Sequence, residues 1–169
     1  MPANKYLSSN GGSLKEVAFN QTSAGAADAG KGIALNPQGQ VDLTMMPTGI
    51  GPDTATIITS EALAAGAWVN IWNNAGAFNV RNADATVDGK YCHGFVLAAV
   101  AQGASALVYM VGVNNQITGM TPGDVYLQTT AGTGGPTPPT GSGNIQQRIG
   151  VALSATAVSF ERGMSVVLA

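Results

Sequence analysis

The chain has 169 residues, nine acidic and seven basic side chains and a net charge of −2, and only 9% of its residues are charged, against about 25% in an ordinary soluble domain. Such a surface has no field with which to hold a polyanion, which argues against nucleic-acid binding by phosphate neutralisation. The single cysteine, Cys92, excludes an intrachain disulfide and a cysteine-based zinc site.

The 23 glycines, with plentiful Ala, Asn, Ser and Thr, suit a protein that hides much of its surface in an assembly better than one kept soluble by mixed charge. No apolar signal region opens the sequence and no run approaches about 18 apolar residues. The expectation is a protein neither exported by its own signal nor spanning a membrane.

In chain order, residues 1–12 are polar and end in Gly11-Gly12, which predicts an extended arm, mobile until something holds it. Leu14–Phe19 reads as a short strand. Within Lys31–Pro47, Asn36-Pro37-Gln38-Gly39 has the residues of a type I turn. Val41, Leu43 and Met45 then alternate with Asp42 and Thr44, so the segment predicts a small hairpin that must pack on something, because an isolated hairpin is marginal in water. Residues 47–52 read as a linker. The domain boundary therefore falls between an N-terminal arm and hairpin segment, 1–52, and a main domain, 53–169.

The main domain opens with a β-branched strand, Thr54–Thr59, and a short connection over Ser60–Gly66. Four strands are predicted next, at Trp68–Trp72, Phe78–Asn82, Gly94–Val100 and Ala104–Val111, separated by Asn, Asp and Gly. In Trp68–Trp72 both faces carry large apolar groups, Val69 and Ile71 on one and Trp68 and Trp72 on the other. This strand needs cover on both sides, by the core and by a second chain or the N-terminal segment.

Val125–Thr129, Ile145–Leu153, Ala157–Phe160 and Met164–Leu168 complete the strands. Between the first two, residues 130–144 hold five Gly and three Pro and read as a surface loop. The expected fold is all-β: a small β-barrel or β-sandwich domain preceded by the extended arm and hairpin.

Chemistry finds little purchase. Cys92 and His93 are adjacent in a strand-like run, so their side chains point apart and cannot act as nucleophile and base. Asp84 and Asp88 flank a turn but lack the further oxygen ligands of a calcium loop. The Gly-rich stretch 132–143 has no Lys-Ser/Thr after it and opens no helix, so it is not a phosphate cradle. Trp68, Trp72, Tyr91, Phe95 and Tyr109 could stack on sugars, but inside β runs they read as core or interface. No enzyme activity, cofactor or metal is expected.

Two sets of residues carry a resemblance. The first is Asp28-Ala29-Gly30-Lys31, Ala34-Leu35, Gly39, Val41-Asp42, Thr44 and Met45-Met46-Pro47. The second includes Ser60–Gly66, Val69-Asn70-Ile71, Arg81-Asn82-Ala83, His93-Gly94-Phe95-Val96, Leu107-Val108-Tyr109, Gly119–Gly123, Val125-Tyr126-Leu127 and Gln147–Ser154. Together, over 24–169, they resemble the capsid decoration (cement) proteins and head fibres of tailed bacteriophages. Lys31-Gly32-Ile33 departs from the commoner Lys-Ile order by one Gly, which predicts a bulge there.

The resemblance implies a homotrimeric structural protein on the outer surface of the phage head, made in the bacterial cytoplasm, with the major capsid protein as partner and neither nucleic acid nor membrane. On that footing Tyr6 and Leu7 are the expected capsid-contact anchors of the arm. Met45, Met46, Trp68 and Trp72 are the expected trimer contacts. The alternative is a head or tail fibre that binds a host receptor or glycan.

Overall fold

The structure is a computed structural model, and it describes residues 5–37, 39–47 and 53–169, with Asn10 described by its backbone alone. Residues 48–52 of the linker read at 47–52, the first four residues of the arm and Gln38 of the turn lie outside the described residues. The chain divides into two compact units, Met1–Gly51 and Pro52–Ala169. Both are built from strands and short turns, and no α-helix occurs among the described residues. The fold is all-β, as the residue pattern predicts.

In the N-terminal unit the expected arm is instead the first strand of a hairpin. Strand β1 (Lys5–Asn10) pairs antiparallel with β2 (Ser13–Ala18). Gly11 and Gly12 make the two-residue turn, with φ of 62° and 84°, the left-handed pair that matches the twist of the flanking strands.

The hairpin expected over Lys31–Pro47 does not form. Its turn is present, with Gly39 N donating to Asn36 O, but the chain after it folds into a short 3-10 turn, Leu43–Met45. Asp42 caps that turn by accepting from Thr44 N at 3.0 Å and Thr44 Oγ1 at 2.6 Å. A side chain that satisfies the local backbone so well outcompetes a strand ladder. The motif Asp28–Lys31 is a second closed turn: Asp28 accepts from Ala24 N at 2.6 Å and from Lys31 Nζ at 2.8 Å. In place of the bulge expected at Gly32, Asn20 and Ile33 form an isolated parallel bridge.

The C-terminal unit has two layers. β3 (Thr54–Thr59), β4 (Trp68–Asn74), β5 (Ala77–Asn82), β6 (Gly94–Phe95) and β7 (Ser105–Tyr109) close into a five-stranded barrel in the order β3-β5-β4-β6-β7. Its bore is filled by Val69, Val80, Val96, Ala106 and Val108, all essentially without exposure; small branched side chains fit so narrow a cylinder. At Gly112, with φ 118°, the chain turns out of the barrel into the second layer. β8 (Gly112–Asn114), β9 (Gly123–Leu127), β10 (Gly134–Gly135), β11 (Ile145–Ser154) and β12 (Ala157–Phe160) form a sheet in the order β10-β9-β11-β12-β8, and β13 (Ser165–Val167) pairs with β11.

The layers meet over an aromatic cluster. Trp68 leaves the barrel on the face opposite Val69 and packs on Phe95 and Phe160, each at 5.7 Å between ring centroids. Phe95 also stacks on Tyr109 at 5.4 Å. Leu127, Ile145, Ile149 and Val158 complete this core from the sheet side.

Three expectations need correction. The strand expected over Gly94–Val100 is only two residues long. Beyond it, Val96 N bonds Ala67 O and Val100 exchanges bonds with Leu63, so a loop rather than a strand is the partner. The second cover that Trp68–Trp72 demands comes, at Trp68, from the sheet of its own unit and needs no second chain. The 130–144 stretch is not simply a surface loop: Gly132, Gly135 and Pro139 are buried, and Gly132 accepts from Trp68 N at 3.0 Å while donating to Ala83 O at 2.7 Å.

Candidate functional site

The groups with chemical potential are held in structural roles. Cys92 is fully buried in the aromatic core, where its Sγ lies 3.4 Å from Gly94 O. Burial pushes the thiol up to about 12, so it is a thiol at any working pH and a poor nucleophile. His93 turns the other way: its Nδ1 accepts from Ile71 N at 3.0 Å, which leaves the proton of the neutral ring on Nε2. Burial first, and then the charge of Arg162, lower its pKa below the usual imidazole value. Asp84 accepts from Thr86 N at 2.9 Å and Thr86 Oγ1 at 2.7 Å and so closes its turn, while Asp88 accepts from the Tyr91 hydroxyl. Among the described residues no three His, Cys, Asp or Glu side chains gather where they could hold a metal ion.

The N-terminal unit exposes apolar side chains. In the N-terminal unit no described residue is buried. Seven large aliphatic side chains stand exposed there: Leu7, Leu14, Ile33, Leu35, Val41, Leu43 and Met46. The most exposed are Leu14 at 72% and Leu7 at 68%. The hairpin register sets Leu7 against Glu16 and Leu14 against Ser9, which places both leucines on one face. On the opposite face Tyr6 packs on Phe19 at 4.8 Å and its hydroxyl accepts from Gly32 N at 3.2 Å.

The expected contact residues therefore separate. Leu7 and Met46 present themselves to solvent. Tyr6 is spent on its own unit, and Met45 is half-buried in the 3-10 turn. Trp68, at 1% exposure, is core and cannot serve as a subunit contact. Trp72 is half-buried: its Nε1 donates to Ser60 Oγ at 3.2 Å, and the Arg81 guanidinium lies 4.3 Å from its ring centroid, an arrangement that favours the cation over the ring face.

Sequence reading missed two side chains. Phe78, 81% exposed, sits opposite Asn73 at the end of the β4–β5 hairpin and forms, with Ile71 and Trp72, a shallow apolar site of about 220 Å³. It shares the face of Val80 but lies beyond the barrel mouth, and strand alternation does not reveal where a barrel ends. Gln147, at 1% exposure, accepts from Cys92 N at 2.7 Å and donates to Cys92 O at 3.0 Å. Its one amide thus replaces a missing strand partner for a residue 55 positions away. A Gln in an alternating strand gives no sign of that.

Comparisons of the chain with protein-family models, with curated proteins and with solved structures found no match.

Proposed function

We propose that this chain is a decoration (cement) protein of a tailed-bacteriophage head: a trimer that binds the outer surface of the shell and stabilises it by bridging neighbouring capsomers of the major capsid protein. The observation that carries a structural role is the N-terminal unit, in which seven large aliphatic side chains are exposed and no described residue is buried. A unit this small with no buried side chain among its described residues and no disulfide lacks the usual means of holding itself together and gains stability from a surface that covers it. The sequence resemblance supplies the virion as that setting.

Leu7, Leu14 and Met46 are the contacts put forward for the shell or for the neighbouring copy. The exposed ion pairs, Lys5–Glu16 and Lys31–Asp28, leave this surface nearly neutral, so binding rests on apolar contact and depends weakly on salt. Three copies of a weak contact act together, and avidity exceeds single-site affinity by about 10² or more.

The test is co-sedimentation of purified protein with undecorated heads, together with light scattering of the protein alone. Saturable binding that survives raised salt, and a particle of three times 17.0 kDa, are expected. A 17.0 kDa monomer, or loss of binding that is steep in ionic strength, would overturn the reading. Phe78 beside Trp72 favours the alternative, a head or tail fibre that binds a host receptor or glycan. Labelled protein that adheres to host cells but not to undecorated heads would establish it.

A further inference from the structure

The C-terminal unit uses arginine in two ways. Arg148 meets two carboxylates, Asp124 at 2.7 Å and Glu161 at 2.8 Å. Arg81 meets none among the described residues, and two side chains hold it in place. Its Nε donates at 2.9 Å to Oδ1 of Asn70, which has no solvent exposure and is itself fixed by donating to Tyr91 O at 2.8 Å. Its guanidinium carbon lies over the Trp72 ring, 4.3 Å from the centroid. These contacts use Nε and one face of the guanidinium. The two Nη groups find no acceptor among the described residues.

The strand register shows what stands around them. Trp72 pairs with Asn79, Asn79 with Ile58 and Ile58 with Ser105. Paired residues share a face, and so do residues two apart on one strand. Arg81, Trp72, Ile58 and Leu107 therefore stand on the outer wall of the barrel, opposite the bore residue Val80. Ile58 is 53% exposed and Leu107 40%. On the other side of Arg81, the Asn70 amide nitrogen lies 3.4 Å from His93 Nδ1. The charge of Arg162 reaches His93 and disfavours a second positive charge there, so the field beside Arg81 is positive.

A guanidinium fork matches a carboxylate with two parallel N–H···O bonds, provided that its plane is fixed. Asn70 and Trp72 fix it before any ligand arrives, which removes part of the ordering cost of binding. A held arginine among exposed aliphatic side chains has the composition of an interface centre. An acidic sugar suits the site less well: Ile58 and Leu107 offer its hydroxyls nothing, and the guanidinium already covers a face of Trp72. We infer that this wall of the barrel docks a protein partner through an aspartate or glutamate carboxylate, which accepts from both Nη groups of Arg81. Ile58 and Leu107 receive the apolar side chains beside that carboxylate. The site is independent of head decoration, and its failure would leave that reading where it stands.

Trp72 lies under the fork and reports on it. The chain has two tryptophans, so the ¹H–¹⁵N spectrum of the full-length protein contains two indole signals, and Trp72→Phe assigns them. The probe is the peptide acetyl-Leu-Glu-Leu-amide. It should move the Trp72 indole signal saturably, half-way at about 30 mM, as one charge-assisted pair gives. The same peptide with Gln for Glu should bind about tenfold more weakly. Arg81→Lys keeps the charge but not the fork and should weaken the Glu peptide about fivefold. Ile58→Ser, at an exposed position, should keep the spectrum dispersed and weaken it about threefold.

An indole signal that stays fixed under the Glu peptide, or moves equally with the Gln peptide, overturns the proposal in the native protein, whatever the variants do. Undiminished binding by a folded Arg81→Lys overturns the fork. Glucuronate that binds more tightly than the Glu peptide overturns the protein partner and points to an acidic sugar.

Discussion

The two units of this chain are made from the same kind of short, weakly charged strands, yet they hold together differently. The C-terminal unit closes a barrel, lays a sheet over it and buries Trp68, Phe95 and Phe160 between the layers. The N-terminal unit has a hairpin, two 3-10 turns and a chain of local hydrogen bonds, and buries none of its described residues. Seven of its large aliphatic side chains are exposed.

That contrast can be broken by substitution. Trp68→Ala empties the centre of the aromatic cluster and is expected to destabilise the C-terminal unit by about 4 kcal/mol, within the usual cost of removing a buried aromatic ring. Urea denaturation followed by Trp72 fluorescence reads it, and a loss under about 1 kcal/mol would mean that the layers do not depend on this contact. Gln147→Leu comes next. It leaves Cys92 N and O without the amide that meets both, and two unsatisfied backbone groups together cost about 3 kcal/mol. The same denaturation curve measures it.

A third effect depends on pH. Because His93 holds its proton less readily folded than unfolded, its contribution is fully present above about 6.5, the pKa of a free imidazole. It is lost progressively as pH falls below that value. Arg162 adds to the effect, since it disfavours a second positive charge. Thermal melting of the native protein should therefore decline from pH 7 toward pH 5, and His93→Gln, which keeps an acceptor for Ile71 N, should flatten that decline. An unchanged slope in the variant would exclude His93 as the cause.

The smallest effect on stability, and the sharpest test of the contrast, is in the hairpin. Leu7→Ser and Leu14→Ser remove side chains that are already in water, so each should change the stability of the isolated protein by less than about 0.5 kcal/mol. On the proposed function their effect is on association, read by co-sedimentation with undecorated heads. If either variant unfolds the protein alone, the leucines are core and the division between the units fails.

How much of this is legible in the residues differs by region. Strands at Thr54–Thr59, Trp68–Asn74, Ala77–Asn82 and Ala157–Phe160 follow directly from runs of β-branched and aromatic side chains between turn formers. Cys92 and His93 lie just before β6 and outside any strand, yet their side chains turn apart as the alternating reading expects. The hairpin expected at Lys31–Pro47 fails because Val41, Leu43 and Met45 alternate in type while Asp42 and Thr44 settle the backbone locally. Alternation and an Asx-capped turn look alike on paper. The mobile arm fails because Gly11-Gly12 turns the chain back on itself, so that β1 pairs with β2 and Tyr6 meets Phe19 and Gly32; a Gly-Gly pair between polar runs reads as the end of an arm as readily as a hairpin turn.

By itself, then, the sequence determined an all-β chain of low charge, the position of most strands and a demand for cover on both faces of the Trp68 strand. Those are local properties, set by side-chain shape and backbone preference within a few residues. Only the tertiary structure decided who supplies the cover. The barrel bore takes Val69, and the sheet built from residues 112–167 takes Trp68, whereas Leu7 and Leu14 of the N-terminal hairpin stay exposed. Burial depends on which distant segments arrive, and that is settled by the closure of the whole chain.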